Sequence, residues 1–537
     1  MLTISLNSIL ESTLQQIIKI NFEKYNSSTN KIFSIGASEL NIWKRTLIIK
    51  NISIVPDSTV LNGIKNGTLK QVSSMGINIP LLKIRKLGIL KMLTKRDFSL
   101  KEIVVDGVEF TVYKNNLKVR VENNESNLSL DSVYIAGLKN ISLSRIEFKS
   151  YSYTSINITT NDTLFSFRGN DFEINGLELD KVAGSEKFYT LNTKELSLRM
   201  QEQHINFRDE NYSIALGELN YSVADKTISL LDFTLKPTLN KYKLGASYKY
   251  TKEVFDVEIK SINIFGYNVV KALKQGVIDI DSVLIDRANI DIYKDRRLPF
   301  NLDNRPLFIQ QELKMMKQPL HIKNVRVSNG NFNFSLHPHN SEQLMRVGIS
   351  NISGNIGFIT SIKDSLQSGK QLTVNVKGIL MDASPLQLKI NMPYNKADDS
   401  FYISGKLGSG NFTKFNQALY PVTGIKFKSG RLKSIRFYAN ASPSSSVGQM
   451  TMLYNNLQAE IPKKNIDKNN KILSFGANTV LHVSNPSKKG KIRISTIKTE
   501  RVLYKGFGNL LWKTVQSGIV NTVLFAGKSA HLEFMVD

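Results

Sequence analysis

The stretch "IDIDSVLIDRANIDIYKDRRLPF" (residues 278–300) constrains most strongly what this chain can fold into. Its apolar residues alternate, skip a beat, alternate again, and then run into a basic loop. Alternation with a period of two marks a strand with one apolar face. The skipped beat matters because one extra residue turns every later side chain to the opposite face. A β-bulge, or a bend between two short strands, restores the original face and tightens the twist.

The frame apolar-x-apolar, two residues, apolar-x-apolar recurs at least nine times along the chain, as in Leu47/Ile49/Ile52/Ile54 and Ile214/Leu216/Leu219/Tyr221. A shuffled chain would give roughly five, so alignment between copies carries more weight than their number. "FSLKEIVVDGVEFTVYKNN" (98–116) aligns with residues 278–296 without a gap, placing Asp106 on Asp286 and Tyr113-Lys114 on Tyr293-Lys294. "LHIKNVRVSNGNFNF" (320–334) follows the same frame. This is an internal repeat of a β unit. Asp106-Gly107, Asp286-Arg287 and Asn329-Gly330 read as turns into a second strand, which makes each unit a bent hairpin. Repeated, such hairpins build a mainly β fold, an elongated, curved antiparallel sheet with one apolar face. Its inward candidates are Ile103, Val105, Phe110, Ile280, Val283, Ile285, Ile290, Ile292, Ile322, Val325, Val327, Phe332 and Phe334.

Helical spacing is confined to a few places. Residues 1–26 place Ile9, Leu10, Leu14, Ile17 and Ile18 on one face and read as a capping helix. Residues 84–93 and 306–318 are further candidates, the second with Pro306 in its first turn. Residues 506–525 set Phe507, Leu511, Val515 and Ile519 on one side of a C-terminal amphipathic helix. The expected organisation is an N-terminal helix (1–26), two β parts (27–270 and 271–505) and a C-terminal helix with a last strand (506–537). Residues 462–472 read as an exposed basic loop.

Composition narrows the function classes. With 537 residues, 41% hydrophobic and 22% charged, the chain is of globular type and long enough for a large core. No window approaches the roughly 18 uninterrupted apolar residues of a membrane helix. Cysteine is absent, which excludes disulfides, thiolate metal sites and a cysteine nucleophile. A net charge of +26 favours anionic partners, but the basic residues are scattered, which argues against nucleic acid.

Reactive constellations are sparse. His337 and His339 stand together in "HPH" without further metal-ligand spacing. Neither a Walker-type phosphate loop nor a G-x-S-x-G elbow occurs. No catalytic residue, cofactor or metal is expected. Lys294, Arg296 and Arg297 are candidates for phosphate headgroup contact, the alternative being a turn pinned by its own salt bridges. Trp512 on the C-terminal helix is a candidate for contact with a membrane surface.

"LIIKNISIVPD" (47–57), "IDSVLIDRANIDIYKDRRLPF" (280–300) followed by "PLHIKNVRVSNGNFNF" (319–334), "GRLKSIRFYANASPSSSVGQMTMLYNNLQAEI" (430–461) and "NLLWKTVQSGIVNTV" (509–523) together resemble the bacterial AsmA-like family of Bacteroidetes type, akin to TamB and the chorein-type bridge proteins. The resemblance implies a periplasmic body forming a U-shaped β-groove along which phospholipid is bound or transferred. It also implies support of outer-membrane homeostasis, with a membrane surface and envelope proteins as partners. An inner-membrane anchor is expected from a segment this sequence does not include. The competing expectation is a non-enzymatic scaffold of an envelope complex, whose apolar face is an ordinary closed core.

Overall fold

The computed structural model describes residues 31–41, 43–69, 71–86, 97–115, 133–134, 140–181, 188–192, 195–207, 211–460 and 481–524. The chain divides into two compact units, unit 1 (1–238 with 266–275) and unit 2 (239–265 with 276–537). Both are mainly β.

Unit 1 contains β1 (Lys31–Ser34), β2 (Ala37–Asn41), β3 (Thr46–Pro56), β4 (Ser73–Arg85), β5 (Asp97–Lys114), β6 (Val133–Tyr134), β7 (Asn140–Asn157), β8 (Thr163–Lys181), β9 (Phe188–Asn192), β10 (Ser197–Phe207), β11 (Tyr212–Ser222) and β12 (Thr227–Pro237). Pairing runs β1/β2–β3–β4–β5–β7–β8–β10–β11–β12, and β9 joins the far end of β8. Every pair is antiparallel except β5–β7. A short helix, α1 (Ser58–Asn66), buries Val60 and Ile64 and is tied down by the Asn115 amide, which donates to the Ile64 carbonyl at 2.6 Å.

Unit 2 contains β13 (Glu253–Phe265), β14 (Ile278–Asp295), β15 (Leu320–His337), β16 (Met345–Thr360), β17 (Gln371–Leu380), β18 (Ser384–Pro393), β19 (Phe401–Leu407), β20 (Gly410–Asn411), β21 (Lys426–Ala441), β22 (Ser445–Glu460) and β23 (Ile494–Glu500). They pair in chain order, with β19 and β20 sharing the edge of β21. Here β14–β15 is the parallel pair. The two aligned sequence copies, β5 and β14, therefore hold the same place. Each has an antiparallel neighbour before it (β4, β13) and a parallel one after it (β7, β15).

The expected bent hairpins are not hairpins. Residues 97–114, 278–295 and 320–337 are each one continuous strand, and the sheets are mixed rather than purely antiparallel. Gly107, Arg287 and Asn329, expected in turns, instead sit mid-strand with left-handed φ of 79°, 50° and 53°. The physical reason lies in the ladder. A bulge kinks the strand yet keeps both neighbours paired on either side, whereas a reversal would surrender one set of backbone bonds.

These bulges line up across unit 1. Register places Gly36 opposite Asn51, Asn51 opposite Pro80, and Pro80 opposite Gly107. On the far side of β7 the line continues through Asp171, Glu202, Gly217 and Asp232. Asn51, Asp171, Glu202 and Asp232 all have positive φ. Glycine, Asn and Asp tolerate that conformation. The result is one transverse crease, which keeps the apolar face continuous on both sides of the kink.

Helices gather in unit 2. They are α2 (Lys241–Ser247), α4 (Ile309–Met315), α5 (Lys363–Gln367), α6 (Asn416–Thr423) and α7 (Phe507–Val523), while α3 (Val269–Gln275) belongs to unit 1. Pro306 precedes α4 instead of entering its first turn; the Gln311 side chain accepts the Phe308 amide at 3.0 Å and closes that helix end. In 84–93, Ile84 and Arg85 end β4, because they continue its ladder with β3 and β5, and 87–93 lie outside the described residues. The expected helix over 1–26 and the loop over 462–472 also lie outside them. Helix α7 forms as the spacing predicts, with Phe507, Leu511, Val515 and Ile519 half-buried against the core. Its deepest stripe is Leu510, Thr514, Gly518 and Thr522. A Cβ on Gly518 would meet the Met450 side chain at 2.8 Å, so glycine there sets how closely α7 lies on β22. Helix α7 and β17–β23 enclose a filled core that includes Leu372, Ile390, Phe401, Ile403, Met450 and Ile497.

Candidate functional site

The face of unit 1 on one side of its crease carries an unbroken cross-strand row: Phe33, Ile54, Ile77, Phe110, Tyr153, Phe167, Ile205, Ile214 and Leu235. Beyond the crease runs a second: Leu40, Leu47, Ile84, Ile103, Ile146, Ile174, Leu198, Tyr221 and Ile228. Directly opposed residues share a face of the sheet. The two rows share one face as well, because Ile103, Val105, Val108, Phe110, Tyr151 and Phe167 pack into a single cluster. Every member of the first row is half-buried. Among the described residues its side chains lean on one another and on strand neighbours, as Tyr153 does on Phe165 at 5.9 Å.

One polar pair interrupts this face. Tyr151 donates to Gln203 Oε1 at 2.6 Å, across β8, where Gly169 has no side chain to separate them. A Cβ at 169 would clash with the Gln203 amide and the Tyr151 hydroxyl. Burial pushes the Tyr151 phenol up to about 12, although the Gln203 hydrogen bond opposes the rise. This pair leaves no mark in the sequence, because glycine between two long polar or aromatic residues has no periodic signature.

The opposite face of unit 1 is charged and self-compensated. Arg85 binds Glu102 at 2.9 Å, and Arg145 binds Glu173 at 2.8 Å and Glu147 at 3.2 Å. Arg199 binds Glu218 at 3.0 Å. The sheet is thus amphipathic through its thickness: apolar rows on one side, a ladder of opposite charges on the other.

In unit 2 the expected inward residues fall into rows by register. Ile290 and Phe332 belong to Val257–Ile290–Phe332–Ile349–Leu380, and Ile292 and Phe334 to Phe255–Ile292–Phe334–Val347. These are half-buried, except Phe255, which is 39% exposed. Val283 and Val325 are buried and begin a row that continues through Ile356, Val374 and Ile390 to Ile403 inside the closed core. Ile280 is buried beside Ile322, Ile285 lies beside Val327, and in unit 1 Val105 is buried among its cluster.

The basic loop is engaged within the chain. Lys294 binds Glu253 at 2.7 Å. Arg297 grips Asp295 with Nε at 3.0 Å and Nη2 at 2.6 Å. Burial pushes the Asp295 carboxyl up, but Arg297 outweighs it and holds the group below its ordinary range. Arg296 lies over the Phe300 ring at 5.2 Å. Trp512 is 37% exposed on α7. Among the described residues no group of three or more His, Asp or Glu side chains is placed to hold a metal ion, and no helix is long and apolar enough to cross a membrane.

No protein-family model matches the chain, and no characterised protein matches it in sequence.

Proposed function

We propose that the chain binds phospholipid along the apolar face of unit 1 and passes it onward, as an AsmA-like protein of the bacterial periplasm. The observation that carries this reading is the row from Phe33 to Leu235, nine strand positions wide and half-buried throughout. Contiguous apolar surface of this extent on a soluble protein marks a binding site. Acyl chains suit it, because burial contributes about 0.8 kcal/mol per CH₂ and needs no directional partner. A groove that lets lipid slide needs no reactive residue, so the reading is non-enzymatic. The filled core of β17–β23 favours a different role for that region, a structural one in which the apolar residues serve only folding.

Native mass spectrometry with lipid extraction of the purified protein tests the proposal. Phospholipid is expected to copurify and to be lost from the Phe110→Glu/Ile205→Glu variant, checked for retained fold by circular dichroism. A lipid-free parent protein, or equal lipid in parent and folded variant, would overturn it.

A further inference from the structure

On the outer face of β17–β23, opposite the filled core, register sets out two rows. One is Lys377–Gln387–Lys406–Arg436–Thr451, the other Asn375–Lys389–Ser404–Tyr438–Gln449. Lys406 and Arg436 stand directly opposite each other on adjacent strands. Like charges so placed destabilise a sheet. On the outer face of unit 1, Arg85, Arg145 and Arg199 each meet a glutamate. Here, among the described residues, neither row contains a carboxylate, and Lys389, Lys406 and Arg436 form no ion pair. These cations surround a depression of about 460 Å³, with Tyr402 and Tyr438 exposed at 38% and 47% beside them. Tyr438 is held in place by its bond to Gln449 Oε1 at 2.8 Å.

From this juxtaposition we propose that the outer face of β17–β23 is a binding site for an anionic polysaccharide chain. The uncompensated cations call for a negatively charged ligand, since a guanidinium or ammonium donates charge-assisted hydrogen bonds to carboxylate or sulfate. The two tyrosines offer flat amphipathic surfaces to the C–H faces of sugar rings. Gln387, Ser404, Gln449 and Thr451 supply neutral donors and acceptors for hydroxyl groups. They outnumber the cations in the depression, which fits a hydroxyl-rich chain with one acid group per sugar or two better than a surface of phosphates. The site lies on the face away from the core and does not depend on the lipid reading.

The test is binding of the full chain to immobilised polygalacturonate, with neutral dextran, single-stranded oligo(dT) and phosphatidylglycerol vesicles as comparisons. Polygalacturonate is expected to bind and to be released by salt. Lys406→Gln/Arg436→Gln is expected to weaken binding about a hundredfold, since each charged hydrogen bond lost contributes about tenfold. Tyr438→Ala is expected to weaken it several-fold, and Lys50→Gln on unit 1 to leave it unchanged. Because the double variant removes a like-charge pair, its thermal midpoint should not fall, which separates lost binding from lost fold. Equal binding of dextran, tighter binding of oligo(dT) or of the vesicles, or undiminished binding by the folded double variant would each overturn the proposal.

Discussion

The row through Ile205 in unit 1 and the row through Ile403 in unit 2 are made of the same alternating strands, yet Ile205 is half-buried and Ile403 is wholly buried. The difference does not lie in the strands. It lies in what packs on them: β17–β23 are closed by α7 and by Phe308 and Leu313 of the α4 segment, with Phe308 edge-on to Phe401 and Phe507 at 5.9 and 5.5 Å. An amphipathic sheet becomes a core only when a second layer covers it. In unit 1 the same pattern stays half-buried among the described residues.

The contrast is broken most forcefully by charge. Ile403→Asp buries a carboxylate with no partner and is expected to cost about 4 kcal/mol or more, whereas Ile205→Asp, whose charge reaches water, costs about 1 kcal/mol. Urea titration of both variants checks this, and equal losses would place the two rows in the same environment.

A smaller effect tests the polar pair in the apolar face of unit 1. Tyr151→Phe leaves the buried Gln203 oxygen without its donor and is expected to cost about 1–2 kcal/mol. The same phenol carries a pH signature. Its pKa is raised from 10.0 to about 12 in the fold, so the unfolded chain ionises first as pH climbs. Its contribution is complete below pH 10 and is lost as pH rises towards 12. Melting curves across that window should show a shallower alkaline loss for Tyr151→Phe than for the parent chain.

The smallest effect belongs to the charged ladder on the far side of the sheet. Arg145→Ala removes contacts to Glu147 and Glu173 in partly exposed surroundings, and is expected to cost about 0.5–1 kcal/mol at low ionic strength and less in high salt.

How much of this was legible beforehand follows from the kind of signal each feature leaves. Ile103, Val105 and Phe110 lie in the unit 1 cluster, because period-two alternation reports sidedness directly. The skipped beat at Asp106-Gly107 and Asp286-Arg287 was legible as a bulge or a bend between two strands, but not as which of the two. Asp, Gly and Asn serve both turns and left-handed bulge positions, and only the pairing of β5 with β7 and of β14 with β15 decides between them. Closure was not legible, since an open face and a covered one share one alternation. The cluster of Lys389, Lys406, Arg436 and the two tyrosines was hidden too, because its members come from three separated strands that only register brings together.

The chain contains no cysteine, so a single introduced thiol reports on one position alone. The most direct test compares the labelling rates of Ile205→Cys and Ile403→Cys in delipidated protein, before and after adding phospholipid. The thiol at 205 is predicted to react rapidly and to be protected by lipid, while the thiol at 403 stays unreactive until the protein unfolds. Equal inertness at both positions, or labelling at 205 that lipid leaves unchanged, would contradict an open lipid-binding face on unit 1.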